Sequence, residues 1–176
     1  MKIICIGRNY INHAKELGNA IPSEPLFFLK PSSAIQPKGH PFFIPFFSND
    51  IHYEVELVIK ISKAGKHIEE RFAHNYYSQI GLGIDFTARD IQQECKEKGL
   101  PWEKAKGFDG SAQISRIFID KSSLDLDNIS FSLEKNSEQV QIGNSKDMCF
   151  NFETIIAYIS KFYSLKIGDL IYTGTP

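Results

Sequence analysis

Ile51-His-Tyr-Glu54-Val-Glu56-Leu-Val-Ile-Lys-Ile61 is the stretch on which the reading of this chain turns. Ile51, Tyr53, Val55, Leu57, Ile59 and Ile61 alternate with His52, Glu54, Glu56, Val58 and Lys60. Strict alternation over that length predicts a half-buried strand, with the odd side chains on a core and the even ones on the opposite face. Glu54 and Glu56 then project from the same face, their Cα atoms roughly 6 to 7 Å apart.

Downstream, the run from Tyr77 or Ser78 through Gly81 and Gly83 to about Phe86 reads as a second strand, with Asp85 near its end. Thr87 is placed to N-cap a helix with Asp90 at the third helical position. Ala88, Ile91 and Cys95 share one face of that helix, and Gly99-Leu100-Pro101 stops it. Upstream, Lys2 to Ile6 predicts a short buried strand ended by Gly7, and Tyr10 to Leu17 a short helix stopped by Gly18. Leu26 to Leu29 is an apolar run ahead of Lys30-Pro31, where proline favours extended backbone. The Pro-, Gly- and Phe-rich residues that follow suit an irregular wrapping segment. Ile114 to Ile119 and Ile129 to Leu133 look strand-like. Phe152 to Phe162 carries Ile155, Ile156 and Ile159 at helical spacing, and Asp169 to Pro176 reads as a strand entering a turn. The class is α+β, strand-rich, without βαβ alternation, and residues 1–176 are read as one domain.

Composition narrows the function. The chain has 176 residues, 42% hydrophobic and 23% charged, which excludes a disordered tail, a collagen-like repeat and a disulfide miniprotein. Lys plus Arg is 20 against 21 acids, so no basic excess points to nucleic acid. The longest apolar stretch, Pro41 to Phe47, is broken by Pro45 and too short to span a bilayer. Cys5, Cys95 and Cys149 form no CxxC pair, so neither a zinc knuckle nor a redox dithiol is expected. The apolar run after Lys2 is too short for a signal peptide, and a cytoplasmic protein with reduced thiols is the expectation.

Two carboxylates on one strand face can converge on a divalent cation, and all-oxygen ligation favours magnesium, manganese or calcium over zinc. By itself an E-x-E strand is usually solvated surface; Asp85, at a strand end beside a helix, is the third carboxylate that would complete a site. His13 and Glu16 stand at i, i+3 on the first helix, where a carboxylate can orient a histidine base. Lys30 and Lys106 can supply positive charge to an anionic intermediate. His40, His67 and His74 have no ligand spacing and read as surface residues, whereas His52 shares the glutamate face.

Six segments, in order along nearly the whole chain, resemble the fumarylacetoacetate hydrolase family, in particular its small acylpyruvate hydrolase and oxaloacetate decarboxylase members. They are Gly7-Arg-Asn-Tyr-Ile-Asn-His13-Ala-Lys-Glu16, Pro25-Leu-Phe-Phe-Leu-Lys30-Pro-Ser-Ser33, His52-Tyr-Glu54-Val-Glu56-Leu57, Asp85-Phe-Thr-Ala-Arg89-Asp-Ile-Gln92, Lys98-Gly-Leu-Pro-Trp102-Glu-Lys-Ala-Lys106-Gly-Phe-Asp109 and Gly168-Asp-Leu-Ile-Tyr-Thr-Gly-Thr175-Pro176. The resemblance implies a mixed β-sandwich or roll with short flanking helices, and a homodimer. It implies Mg2+ or Mn2+ held by Glu54, Glu56 and Asp85, with His13 and Glu16 activating water and Lys106 assisting the chemistry. Lys30, Arg89, Gln92 and Thr175 would bind substrate, Thr175 by a carboxylate. The implied activity is C–C bond hydrolysis of acylpyruvates or decarboxylation of oxaloacetate and related small 2-oxo acids. The alternatives are an isomerase or hydratase of dicarboxylic dienols and a non-catalytic metal-binding homologue. Family members usually continue past the T-G-T-P motif, which implies that the C-terminal end of the family domain lies beyond Pro176. The loop Phe108 to Ser115 lacks the Cys-Pro or Leu-Gly-Pro common in relatives, a departure expected to bear on specificity.

Overall fold

A computed structural model describes residues 1–10 and 22–176. The strands are β1 (Ile3–Gly7), β2 (Leu26–Lys30), β3 (Ile51–Ile61), β4 (Tyr77–Ala88), β5 (Ala112–Ile114), β6 (Ile119–Asp120), β7 (Ser130–Lys135), β8 (Glu138–Asn144) and β9 (Leu170–Tyr172). The α-helices among the described residues are α1 (Glu70–Ala73), α2 (Arg89–Lys98), α3 (Glu103–Lys106) and α4 (Phe152–Phe162). Seven strands form one mixed sheet in the order β2-β1-β9-β3-β4-β5, with β6 also on β4. β9 runs parallel to β1 and antiparallel to β3, so a late segment sits in the middle of the sheet. β7 and β8 form a separate two-stranded ribbon.

β3 has the bounds its alternation predicts, but it is not half-buried: Glu54 through Ile59 are all buried. Its odd residues Val55, Leu57, Ile59 and Ile61 join Ile4, Ile6 and the α4 residues Ile155, Ile156 and Ile159 in one apolar core. Val58, on the even face, packs with Ile3, Cys5, Ala34, Ala112 and Tyr172 in a second cluster. Along β3 itself only His52 and Lys60, at the ends of the even row, are exposed.

α4 begins where Asn151 accepts the Thr154 amide at 2.8 Å, and its helical spacing is borne out. Residues 35–50 wrap without regular structure. Two local expectations are corrected. Thr87 does not cap a helix, because β3 keeps pairing with β4 as far as Ile51↔Ala88 and holds Thr87 inside the ladder. Asp90 instead accepts from Ser48 Oγ at 2.6 Å and from the Asn49 amide at 3.0 Å. The run from Ile114 to Ile119 breaks into β5 and β6: the Ser115 amide still donates to the Leu82 carbonyl, but its hydroxyl takes its carbonyl's place, accepting from Leu82 N and donating to Ile117 O. The expected helix over Tyr10–Leu17 falls largely outside the described residues.

Candidate metal centre

The β3–β4 register builds the acidic cluster. Glu54 pairs with Asp85 and Glu56 with Gly83, so three carboxylates lie on one face across two strands. Their relative exposures are 7%, 2% and 1%, and ligand-capable oxygens from all three lie within 4.8 Å of one another. Gly83 is needed opposite Glu56: a Cβ there would lie 2.4 Å from the Tyr172 ring and 2.8 Å from the Gln113 carbonyl. Gly174, at φ +100°, donates its amide to Glu56 Oε2 at 2.7 Å.

Buried carboxylates need compensation, and cations surround these three. Lys106 Nζ, at the end of α3, donates to Glu54 Oε2 at 2.6 Å, Asp85 Oδ2 at 2.8 Å and Thr87 Oγ1 at 2.6 Å. Lys30 Nζ lies 2.7 Å from Asp85 Oδ1 as an ion pair, while its hydrogen bonds go to the Ser111 carbonyl and hydroxyl at 3.0 and 3.1 Å and to the Lys106 and Phe86 carbonyls. Arg89, opening α2, pairs with Glu54 and donates to Gln92 Oε1. It also donates through Nε to His52 Nδ1 at 3.4 Å, so the half-exposed His52 reaches the cluster through Arg89.

The two glutamates respond oppositely to one environment. Burial would raise the Glu54 carboxyl, but Lys106 and Arg89 outweigh it and hold its pKa at about 2. Burial also raises Glu56, and there the charges of Asp85 and Glu54 add to it, pushing it well above the usual carboxylate range. Lys106 is held protonated above the usual lysine range because Asp85 and Glu54 outweigh its burial. Glu56 is thus the carboxyl with an unmet demand for positive charge. Together with the all-oxygen donor set, this fits a hard divalent cation on Glu54, Glu56 and Asp85.

A cavity of about 40 Å³ opens beside the cluster, lined by the three carboxylates together with Arg89, Gln92, Lys106 and Thr175. Thr175 donates its hydroxyl proton to the Val55 carbonyl at 3.0 Å and accepts from Gln141 Nε2 at 3.2 Å, so a substrate carboxylate would compete for that proton. Lys30 is buried and does not line this cavity. His13 and Glu16 lie outside the described residues. His40, His67 and His74 are exposed as expected, and Cys5 and Cys95 are buried. The cavity wall also contains Arg8, Lys96 and Trp102, to which sequence reasoning gave no role. Lys96 was readable, since Arg89, Gln92 and Lys96 stand at i, i+3 and i+7 on one face of α2. No helix among the described residues is long and apolar enough to cross a membrane.

The family model described as fumarylacetoacetate (FAA) hydrolase C-terminal matches residues 2–176. The chain is 43% identical to the mitochondrial oxaloacetate tautomerase of Bos taurus, over 99% of this chain and 79% of that protein. It is 48% identical to the mitochondrial oxaloacetate decarboxylase of Dictyostelium discoideum, over 99% of this chain and 81% of that protein. Among solved structures it is similar to the fumarylpyruvate hydrolase of Pseudomonas aeruginosa in complex with Mn2+ and pyruvate. That match has a TM-score of 0.92 and 34% identity, and covers 100% of this chain and 78% of the other.

Proposed function

The chain belongs to the fumarylacetoacetate hydrolase family, and from that premise we propose that it is a divalent-metal-dependent enzyme acting on small 2-oxo acids, oxaloacetate foremost, with residues 1–176 working as one catalytic domain. The observation that carries this reading is the buried cluster of Glu54, Glu56 and Asp85 on the wall of a cavity rimmed by cations. A cation held there, Mg2+ or Mn2+, supplies Lewis acidity at the keto oxygen of a 2-oxo acid and so favours its enolate.

The chain's own residues do the rest. Lys106 keeps Glu54 ionised, pairs with Asp85 and holds a fixed positive charge beside any developing oxyanion. Arg89 fixes the free oxygen of Glu54, and Gln92 fixes Arg89. Lys30 ties Asp85 to the Ser111 loop, and Thr175 offers its hydroxyl to a substrate carboxylate. We assign to His13, oriented by Glu16, the proton transfers: from C3 of oxaloacetate in tautomerisation, or from water in acylpyruvate hydrolysis. Loss of CO2 from oxaloacetate needs no such base. Hydrolysis is the second reading, and the named activity of the Pseudomonas relative favours it.

Turnover of oxaloacetate (enol to keto, and CO2 release) and of acetylpyruvate, measured with Mg2+, with Mn2+ and with EDTA, tests the proposal. EDTA should abolish turnover. His13→Ala should cost about 10²–10⁴-fold in tautomerisation and hydrolysis but much less in decarboxylation. Metal bound without turnover would favour an isomerase of dicarboxylic dienols or a non-catalytic metal-binding homologue, and no metal bound would overturn the metal-dependent reading. A homodimer is part of the same proposal: Phe43, Ile44 and Phe46 are 77%, 71% and 108% exposed, an apolar patch of the kind that marks association. Free cysteines suit a reducing compartment such as the cytoplasm, although both oxaloacetate-handling relatives named above are mitochondrial.

A further inference from the structure

Three cations at the centre have their charge taken up locally: Lys30 by Asp85, Lys106 by Glu54 and Asp85, and Arg89 by Glu54. Two more line the same cavity, Arg8 and Lys96. Neither pairs with Glu54, Glu56 or Asp85, and each is placed there at a cost.

Arg8 follows β1 with φ +58°, a left-handed conformation that a non-glycine residue adopts at roughly 1 kcal/mol or more. Its neighbour Asn9 holds it there. The buried Asn9 side chain donates to the Thr173 carbonyl at 2.7 Å and the Phe150 carbonyl at 3.1 Å, and accepts the Phe150 amide at 2.8 Å. Strain this firmly enforced concentrates at ligand sites. Lys96 is half-buried, with its ammonium 5.8 Å from the centre of the Trp102 ring, also on the cavity wall. Among the described residues it forms no ion pair. Burial first, then the charges of Arg89, Arg8 and Lys106, disfavour its protonated form. Positive charge gathered on a cavity wall and, among the described residues, left without a protein anion is relieved by an anionic ligand.

We propose that Arg8 and Lys96 form an outer anion subsite that reads the second carboxylate of a dicarboxylic 2-oxo acid. The inference rests on the function proposed above. The 2-oxo carboxylate and keto oxygen belong to the metal end of the cavity, so a four-carbon dianion such as oxaloacetate brings its far carboxylate to these two residues. A monocarboxylic 2-oxo acid leaves them unmatched. Arg8 and Lys96 are therefore specificity-determining residues, with no role in bond breaking.

The test is steady-state kinetics on oxaloacetate in Mn2+, with pyruvate, which has the same 2-oxo acid head and no second carboxylate, as competitive inhibitor. Lys96→Gln should raise the KM for oxaloacetate about tenfold, the effect of losing one charge-assisted contact, with kcat and the pyruvate inhibition constant within twofold. Lys96→Arg should restore the KM. Arg8→Gly, which suits the left-handed backbone, should repeat the split. Equal loss for oxaloacetate and pyruvate, or no change in either, overturns the subsite and leaves the proposed function standing. A wild-type protein that neither turns over oxaloacetate nor binds pyruvate with Mn2+ overturns both.

Discussion

β3–β4 and β7–β8 are both antiparallel pairs with one register irregularity, yet they treat charge in opposite ways. β3–β4 lies inside the sheet, flanked by β9 and β5, and buries Glu54, Glu56 and Asp85. β7–β8 stands apart and leaves Glu134, Lys135 and Glu138 in water. The ribbon nonetheless touches the site through one amide. Gln141 accepts the Val55 amide at 2.9 Å through Oε1 and donates to Thr175 through Nε2. A long central pair can hide acidic groups because neighbouring elements bring Lys30, Lys106 and Arg89 to them, whereas β7–β8 lays Phe131 and Leu133 on the apolar core and leaves its acids to solvent.

Removing a counter-ion from the central pair should break the contrast most severely. Lys106→Ala leaves two buried carboxylates without their shared partner and should cost about 3–5 kcal/mol, a fall in Tm of about 10 °C by calorimetry. Added Mg2+ should recover more of that loss in the variant than it adds to the wild type. Glu56→Gln should act in the reverse direction on the metal-free protein. A carboxyl whose folded pKa is raised contributes stability below the unfolded value of about 4.3, and that contribution is lost as pH rises through the folded value. Gln has no charge to lose, so the variant should match the wild type near pH 4 and melt a few degrees higher at pH 8, about 1 kcal/mol. Mg2+ should then raise the wild-type Tm and leave the variant unmoved. The smallest effect belongs to the ribbon. Gln141→Ala strands the Val55 amide and should cost about 1 kcal/mol, with kcat changed only a few-fold; a loss as large as that of Lys106→Ala would show the ribbon to be part of the charge-bearing core.

What could be read in advance follows the same division. β3 and α4 were legible because a period of two or of 3.6 is a local property of Ile51–Ile61 and Phe152–Phe162. The pairing of Glu54 with Asp85 was not, since register between strands is set by neighbours along the whole ladder and no short stretch states it. The burial of the even row was missed for a related reason: alternation shows which side chains share a face, and what lies over that face comes from other parts of the chain. β8 escaped because Glu138–Asn144 does not alternate cleanly. It becomes a strand because Asn136 and Ser137, at φ +54° and +66°, form a tight two-residue turn that folds it back on β7. Arg8 sat in a quoted motif, but its role depends on a backbone conformation imposed by Asn9, Phe150 and Thr173.

The position of β9 governs when the protein can become active during its synthesis. β1 and β3 are translated more than a hundred residues before the strand that joins them, and Glu56 waits for the Gly174 amide. Until then the nascent chain carries two unjoined hairpins with open edges, exposed to aggregation and to whatever chaperone shields them. Closure of the proposed metal site is accordingly a late event in folding, and a ribosome stalled before β9 emerges would hold an intact acidic pair on β3 and no finished site.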